Sequence, residues 1–378
     1  MATPVVIVDH SALKTDVLIV GAGPAGLAAA IAARQKGFKV TVADCAFPPI
    51  DKACGEGLMP GGVRALGQLG IVVGSTDSFP FRGIRFIGCG VSSEAAFPEG
   101  HGSGVRRTTL HRALLARARE VGVSVLWGTR VQTDLGKRVS VNGQPAQYDW
   151  LIGADGQGSK VRRWAGLEAG RGSSRRFGFR RHFQAKPWAD CVEVYWGERS
   201  QLFITPVGAK EVCVAVLSRH PHPRLAGALP SFPEVASRLK NAPPTSMERG
   251  AICANHTFRA VARNRVALVG DASGSVDAIT GDGISLAFQQ AIALAAAMER
   301  GDLTLYQAAH RSILRTPALM ARLMVKLDRY AWLRRRALRG LASEPGLFAG
   351  LFAVHVGASP ATFGVRRAAA LAWRLLGV

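Results

Sequence analysis

Cysteine is scarce in this chain, and what there is lies scattered. Six cysteines in 378 residues form no C-x-x-C pair and no His/Cys cluster at zinc-ligand spacing. That excludes a zinc module and a disulfide scaffold, and it points to a reducing, cytoplasmic setting. Acidic residues are short as well: 26 against 48 Lys and Arg, for a formal net charge of +22. Such a balance favours anionic partners, whether phosphate-bearing molecules, a membrane surface or nucleic acid. Aromatic residues, at 7%, are not interleaved with the basic ones as an RNA-stacking surface requires. A non-catalytic RNA-binding protein therefore rests on charge alone, and no specific nucleic-acid partner is expected.

Long apolar runs are missing too. The N-terminal segment "MATPVVIVDHSALKTD" has no basic stretch followed by an apolar one, so it does not read as a secretory signal. The longest uncharged stretch, Pro345 to Val365, is broken by prolines, glycines and a histidine, which suits a cover over an apolar cavity better than a bilayer span. Basic residues crowd the tail, where "RYAWLRRRALRGL" (329–341) and "VRRAAALAWRLLGV" (365–378) set them beside apolar ones at near-helical spacing. Such helices either lie on a membrane surface or pack on the core with a solvated face.

Against these absences stand three glycine turns, each following an apolar strand. "TDVLIVGAGPAGLAAAIAARQKGFKVTVAD" reads as strand, turn, Ala-rich helix and second strand, with G-x-G-x-x-G at Gly21, Gly23 and Gly26, Ala25 inside the turn, and Asp44 ending the second strand. The glycines let backbone approach a pyrophosphate, the helix N-terminus offers it unpaired N–H groups, and the acid holds a ribose hydroxyl. "YDWLIGADGQGSKVRRWAGL" and "NRVALVGDASGSVDAITGDGISLAFQQAIALAAAM" supply the second and third turns, and residues 176 to 256 have β composition. Only one G-x-G-x-x-G is present, so a second Rossmann unit for NAD(P)H is excluded; that donor, or a redox protein, must dock transiently.

Together these motifs resemble the FAD-binding flavoproteins that include para-hydroxybenzoate hydroxylase, geranylgeranyl reductases and flavin-dependent halogenases. The resemblance covers roughly residues 15 to 300. It implies an α/β fold: a glutathione-reductase-type (GR2) Rossmann-like FAD-binding domain, interrupted by a β-rich substrate domain and followed by a helical segment. Residues 1–84, 106–175 and 257–301 would form the FAD-binding parts, 85–105 and 176–256 the substrate domain, and 302–378 the helical segment. The ADP half of FAD would meet Gly21, Gly23, Ala25, Gly26 and Asp44. Arg107 opens an R-x-x-L-x-x-x-L helix with Leu110 and Leu114, and would contact the cofactor. Asp155 and Gly156, with Ser159 and Arg162, match the "DG" motif. Gly270 and Asp271 match the "GD" motif, in which the carboxylate accepts a ribityl hydroxyl. Gly281, Gly283 and Ile284 would place a helix N-terminus at the flavin pyrimidine edge.

The loop "DKACGEGLMPGG" resembles the K-x-C-G-x-G of the reductase branch, and "TGDGI" (280–284) is closer to the reductases than to the hydroxylases. Ala278 departs from both branches, where proline is common. Cys54 is either a proton donor facing substrate, its pKa lowered beside Lys52, or a buried filler of a tight turn. Glu56 is an acid candidate in the same loop. In the insertion, Val192, Val194, Trp196, Leu202 and Ile204 are expected on one sheet face, lining a pocket or forming plain core. Arg180, Arg181 and His182 would meet an anionic head group, or form a solvated charged face.

The expected activity is FAD-dependent reduction of carbon–carbon double bonds in a small lipophilic substrate, with hydroxylation of an aromatic or phenolic lipid as the alternative. The expected location is cytoplasmic, either free or peripheral on the inner face of the membrane. Halogenation is disfavoured, because W-x-W-x-I-P is absent and the matching region reads "QLFITP".

Overall fold

In the computed structural model, which describes residues 13–134, 138–221 and 224–357, the run Val17–Val20 sits in the middle of a six-stranded sheet. The strand order is Ala262–Arg263, Val266–Leu268, Trp150–Gly153, Val17–Val20, Val40–Ala43 and Ser124–Leu126. All neighbours are parallel except the first pair, a small hairpin. Parallel strands are covered on both faces, which is why these segments read as unbroken apolar runs rather than alternating ones. The Ala-rich helices Pro24–Gln35 and Gly283–Glu299 pack against each other; their small side chains permit the close approach.

An eight-stranded sheet forms the second layer. Its order is Gly274–Ser275, Arg249–Phe258, Gly170–Gln184, Glu211–Ser218, Ser200–Gly208, Val192–Trp196, Gly83–Gly88 and Val91–Ala96. The long strand Gly170–Gln184 pairs with Arg249–Phe258 on one side, with a register shift between Gly172 and Ser174, and from Phe177 onward with Glu211–Ser218 on the other. Helix Pro233–Leu239 covers one face of this sheet. The C-terminal helices Leu303–Arg329, Ala331–Ser343 and Pro345–His355 cover the other, near Val91–Ala96.

Antiparallel register corrects the expected pocket face. Val194 stands opposite Phe203, and Tyr195 opposite Leu202. Directly opposed residues share a side, so Leu202 and Ile204 point away from Val192, Val194 and Trp196. They join the core under helix Pro233–Leu239, while Phe203 takes the place expected of them. Alternation within each strand was legible; the phase between strands depends on the register of the turn, which no periodicity encodes.

Not every basic residue of the tail faces water. Arg334 is buried and donates to the carbonyls of Leu327 and Asp328. The segment 365–378 lies outside the described residues. Among the described residues, no helix is long and apolar enough to cross a membrane.

Candidate active site

A cavity of about 960 Å³ opens where the C-terminal ends of the parallel strands meet the second sheet, the usual ligand position in such folds. Three backbone turns build its floor. Gly21 has φ +107°, and a Cβ there would stand 2.4 Å from the Ala154 carbonyl oxygen. A Cβ on Gly26 would stand 1.8 Å from the Gly21 oxygen. The third glycine of the motif therefore serves helix-on-strand packing and does not line the cavity. Gly23 does line it, with nothing within 4 Å of where its Cβ would be.

Asp44 is fixed at the end of its strand: Oδ2 accepts from the Ala22 N–H at 2.7 Å and Oδ1 from that of Ala46 at 2.8 Å. The same turn is held from behind by His111, whose Nε2 donates to the Ala22 carbonyl at 3.0 Å. Burial lowers the pKa of that imidazole, which keeps it a neutral donor. Asp155 accepts from the N–H groups of Lys160 and Val161 through Oδ2, and its Oδ1 is buried with no partner among the described residues. Ser159 caps the short helix that follows, and Arg162 ties the two later turns together by donating to Gln157 O at 2.7 Å and Ala272 O at 3.0 Å. Gln290 accepts from the Gly270 N–H at 2.8 Å.

Asp271 lines the cavity, with its side chain open to it. Burial raises its pKa, with Arg107 and Lys52 opposing. Arg107 stands on the cavity wall at the start of helix Arg107–Glu120, its Nε buried with no partner among the described residues. Gly281, Gly283 and Ile284 bring the N-terminus of helix Gly283–Glu299 to the wall, where unpaired N–H groups favour negative charge.

These walls fit FAD. The open space above Gly23, Gly156, Gly281 and Gly283 forms a cradle that side chains would fill. Acids, among them Asp271 with the Arg107 guanidinium acting on it, and a helix N-terminus all stand on its wall. A volume of about 960 Å³ suits an elongated dinucleotide.

Of the residues expected at the site, Gly21, Gly23, Ala25, Asp44, Cys54, Arg107, Asp155, Gly156, Gly270, Asp271, Gly281, Gly283 and Ile284 line this one cavity. Cys54 stands in its wall, yet its pKa is raised, not lowered. Burial dominates, and the cation nearest in effect is Arg107 rather than Lys52. It is a thiol with a proton to give, not a thiolate. Glu56 lies behind the wall, paired with His182. Neither His182 nor Arg181 lines the cavity: His182 is engaged by Glu56 and Arg181 donates to the Ser246 carbonyl, whereas Arg180, expected beside them, does line it. Trp196 is packed edge-on against Phe86 under the C-terminal helices, away from the cavity. Gln290 and His111 were not singled out in the sequence: each lies on a helix and acts through one carbonyl or N–H, with no local pattern to betray it.

The FAD binding domain family matches residues 14–310 of the chain. The menaquinone reductase of Mycobacterium tuberculosis (strain ATCC 25618 / H37Rv) is 31% identical over 324 residues, covering 78% of this chain and 78% of that protein. Digeranylgeranylglycerophospholipid reductase 1 of Methanothermobacter thermautotrophicus is 29% identical over 321 residues, covering 77% and 79%. Other relatives are named as monooxygenases. Among solved structures, the flavin-dependent brominase Bmp2 superposes with a TM-score of 0.76 at 19% identity, covering 95% of this chain and 97% of that one, a likeness of fold alone. A match that runs through all three glycine turns, on a cavity whose walls fit the cofactor, makes this chain a member of the FAD binding domain family and an FAD-dependent oxidoreductase.

Proposed function

We propose that this oxidoreductase reduces carbon–carbon double bonds of a lipophilic substrate, with NAD(P)H or a redox protein as its electron source. The observation that carries this reading is an apolar annex of about 120 Å³ that shares Gly55, Gly57, Phe203 and Gly281 with the walls of the main cavity. Met59, Phe86, Val194, Met320, Leu323 and Phe352 line it. Methionines yield to irregular apolar shapes, as a branched hydrocarbon tail requires. Two relatives named as reductases, one of menaquinone and one of a geranylgeranyl lipid, support the same class.

Bound and reduced, FAD supplies a hydride. The protein's own contributions are positional. The annex holds the tail so that the bond to be reduced lies at its mouth, beside Gly55 and Cys54. The N–H groups opening helix Gly283–Glu299 favour the negative charge of the reduced cofactor. The Cys54 thiol, protonated because burial raises its pKa, has a proton for the carbon that does not receive hydride.

The test is anaerobic. The reduced protein should be reoxidised by a polyprenyl lipid without oxygen, giving a product two hydrogens heavier. Filling the annex with Leu323→Trp should raise KM for long-chain substrates about ten-fold and leave short ones unaffected. Oxygen uptake stimulated by a phenolic lipid, with a hydroxylated product, would replace this reading with the monooxygenase one.

We also propose that the enzyme works at an anionic lipid surface. On helix Ala331–Ser343, Trp332 is 57% exposed, and Arg335, Arg336 and Arg339 are exposed three, four and seven residues later. An indole beside basic residues suits a headgroup layer. The protein should sediment with phosphatidylglycerol vesicles and not with phosphatidylcholine ones, and salt should release it. Replacing Arg335 and Arg339 together by alanine should cost about 2 kcal/mol, a roughly thirty-fold loss. Equal recovery with both vesicle types would sink the idea.

A further inference from the structure

Behind the cavity wall lies a chain of polar groups that cofactor binding does not explain. Glu56 is 3% exposed and adopts φ +61°, a conformation unfavourable for any residue with a Cβ. Both its carboxylate oxygens are engaged. Oε1 accepts from the Arg107 backbone N–H at 2.9 Å and lies 3.5 Å from Arg180 Nη2. Oε2 meets His182 Nε2 at 2.5 Å. His182 is itself 1% exposed, in the middle of strand Gly170–Gln184. The loop is thus held in a strained shape by the second sheet, at the point where the two sheets meet.

The far side of the imidazole fixes its tautomer. Nδ1 faces Ser246 Oγ at 2.7 Å, Arg106 Nη2 at 3.5 Å and Arg180 Nη1 at 3.5 Å. Guanidinium nitrogens only donate, so Nδ1 is the acceptor and the ring proton sits on Nε2, toward Glu56. Carboxylate, imidazole and hydroxyl therefore stand in series with donors and acceptors aligned. Ser246 is partly exposed at one end. At the other, the Glu56 N–H donates to Cys54 Sγ at 3.4 Å, on the cavity wall. Cys213 completes the junction, donating from Sγ to the Cys54 carbonyl at 3.8 Å.

We propose that Glu56, His182 and Ser246 form a proton route from the protein surface to Cys54, through the seam between the two sheets. The proposal deepens the reductase reading, and rests on it for the use made of the proton. When Cys54 gives its thiol proton to substrate carbon, a thiolate remains. Glu56 takes the Nε2 proton of His182 on Oε2 and, by turning its carboxyl group off the imidazole, delivers it to that sulfur two residues back in the same loop, to which its backbone N–H already donates. Nδ1 takes the hydroxyl proton of Ser246, and solvent replaces it. One proton enters and one leaves, with no electrons moved. Glu56 and His182 are positioning residues that act through Cys54. The charged and titratable groups around the route are Arg106, Arg107, Arg180, Asp51, Glu211 and Cys213.

Two members of the route also meet a third group: a Glu56 oxygen, a His182 nitrogen and the Cys213 sulfur lie within 4.8 Å of one another, as metal ligands do. Two guanidinium groups beside them oppose a divalent cation, and burial with Glu56 nearby holds the Cys213 thiol well above its ordinary pKa. The arrangement favours a shared proton.

The test needs neither substrate nor turnover. In the FAD-loaded protein, the S–H stretching band of Cys54, assigned by difference against Cys54→Ser, is followed by infrared spectroscopy after mixing with D2O. Glu56→Gln, His182→Gln and Ser246→Ala should each slow the exchange at least about ten-fold. The buried Cys191 thiol, remote from the route, should exchange as in wild type. Added imidazole should restore fast exchange to His182→Ala. Unchanged exchange in the three variants, slowing by Glu56→Gln alone, or stoichiometric zinc in the purified protein would each overturn the proposal. Failure of polyprenyl reduction would leave this measurement standing, so the two readings fail separately.

Discussion

Arg176→Ala should destabilise the protein by about 3–5 kcal/mol, the cost of breaking a buried ion pair from one side. Arg176 is 2% exposed and bridges two carboxylates, with Nε 2.6 Å from Asp277 Oδ1 and Nη1 2.9 Å from Asp328 Oδ2. Asp277 caps the turn Ala278–Thr280 at the cofactor cavity, while Asp328 lies near the end of helix Leu303–Arg329, where Gln201 and Arg219 also reach it. One guanidinium thus fastens the C-terminal helices to the turn that leads into helix Gly283–Glu299. Removing it leaves both buried acids short of compensation, so the loss exceeds what an exposed pair would show. The denaturation midpoint should fall, and FAD should be bound more weakly because Val276–Asp277–Ala278 line its cavity. Arg176→Lys should recover only part of the loss, since an ammonium point charge cannot span two carboxylates as a planar fork does. A midpoint unchanged in Arg176→Ala would show that the network carries no stability.

The second large effect separates two glycines of one motif. Gly23→Val should leave the fold intact and weaken FAD binding by about a hundred-fold, or about 2.8 kcal/mol. Its Cβ meets no atom of the described residues within 4 Å and enters the space where the pyrophosphate would approach. Gly26→Ala should instead destroy the fold locally, because its methyl would press on the Gly21 carbonyl at 1.8 Å and push the helix off its strand. The exposed Gly67, near the end of helix Pro60–Gln68, serves as the control. Nothing lies within 4 Å of its Cβ position, so Gly67→Ala should bind FAD normally and gain up to about 1 kcal/mol. The readouts are flavin content on purification, an FAD titration of the stripped protein, and circular dichroism. A Gly23→Val protein that retains full flavin would contradict the placement of the cofactor.

The cofactor site was legible in the sequence because its signals are local. A strand, a glycine turn and a helix start lie within a few residues of one another, and the turn's chemistry requires those residue types wherever the rest of the chain goes. Asp44, Asp155 and Asp271 were found the same way, each at the end of an apolar strand. Cys54 lines the same cavity, but the choice between its two readings, a thiol lowered by Lys52 or a buried residue of a tight turn, was not legible in the sequence. The neighbouring Lys52 is visible in the sequence, whereas the burial that raises the thiol's pKa is supplied by distant segments.

What the sequence by itself determined, then, is the dinucleotide-type half of the molecule: three turns, their acids and the parallel strands that carry them, all set by short-range rules of backbone and hydrogen bonding. Only the tertiary structure decided the other half. Antiparallel register chose Phe203 over Leu202 for the pocket face. Contact between a loop and a strand 126 residues apart in sequence joined Glu56 to His182. A buried arginine tied Asp277 to Asp328. Each of these depends on which segments meet and in what phase, and that is settled by the packing of whole sheets and helices, which no local pattern in the chain encodes.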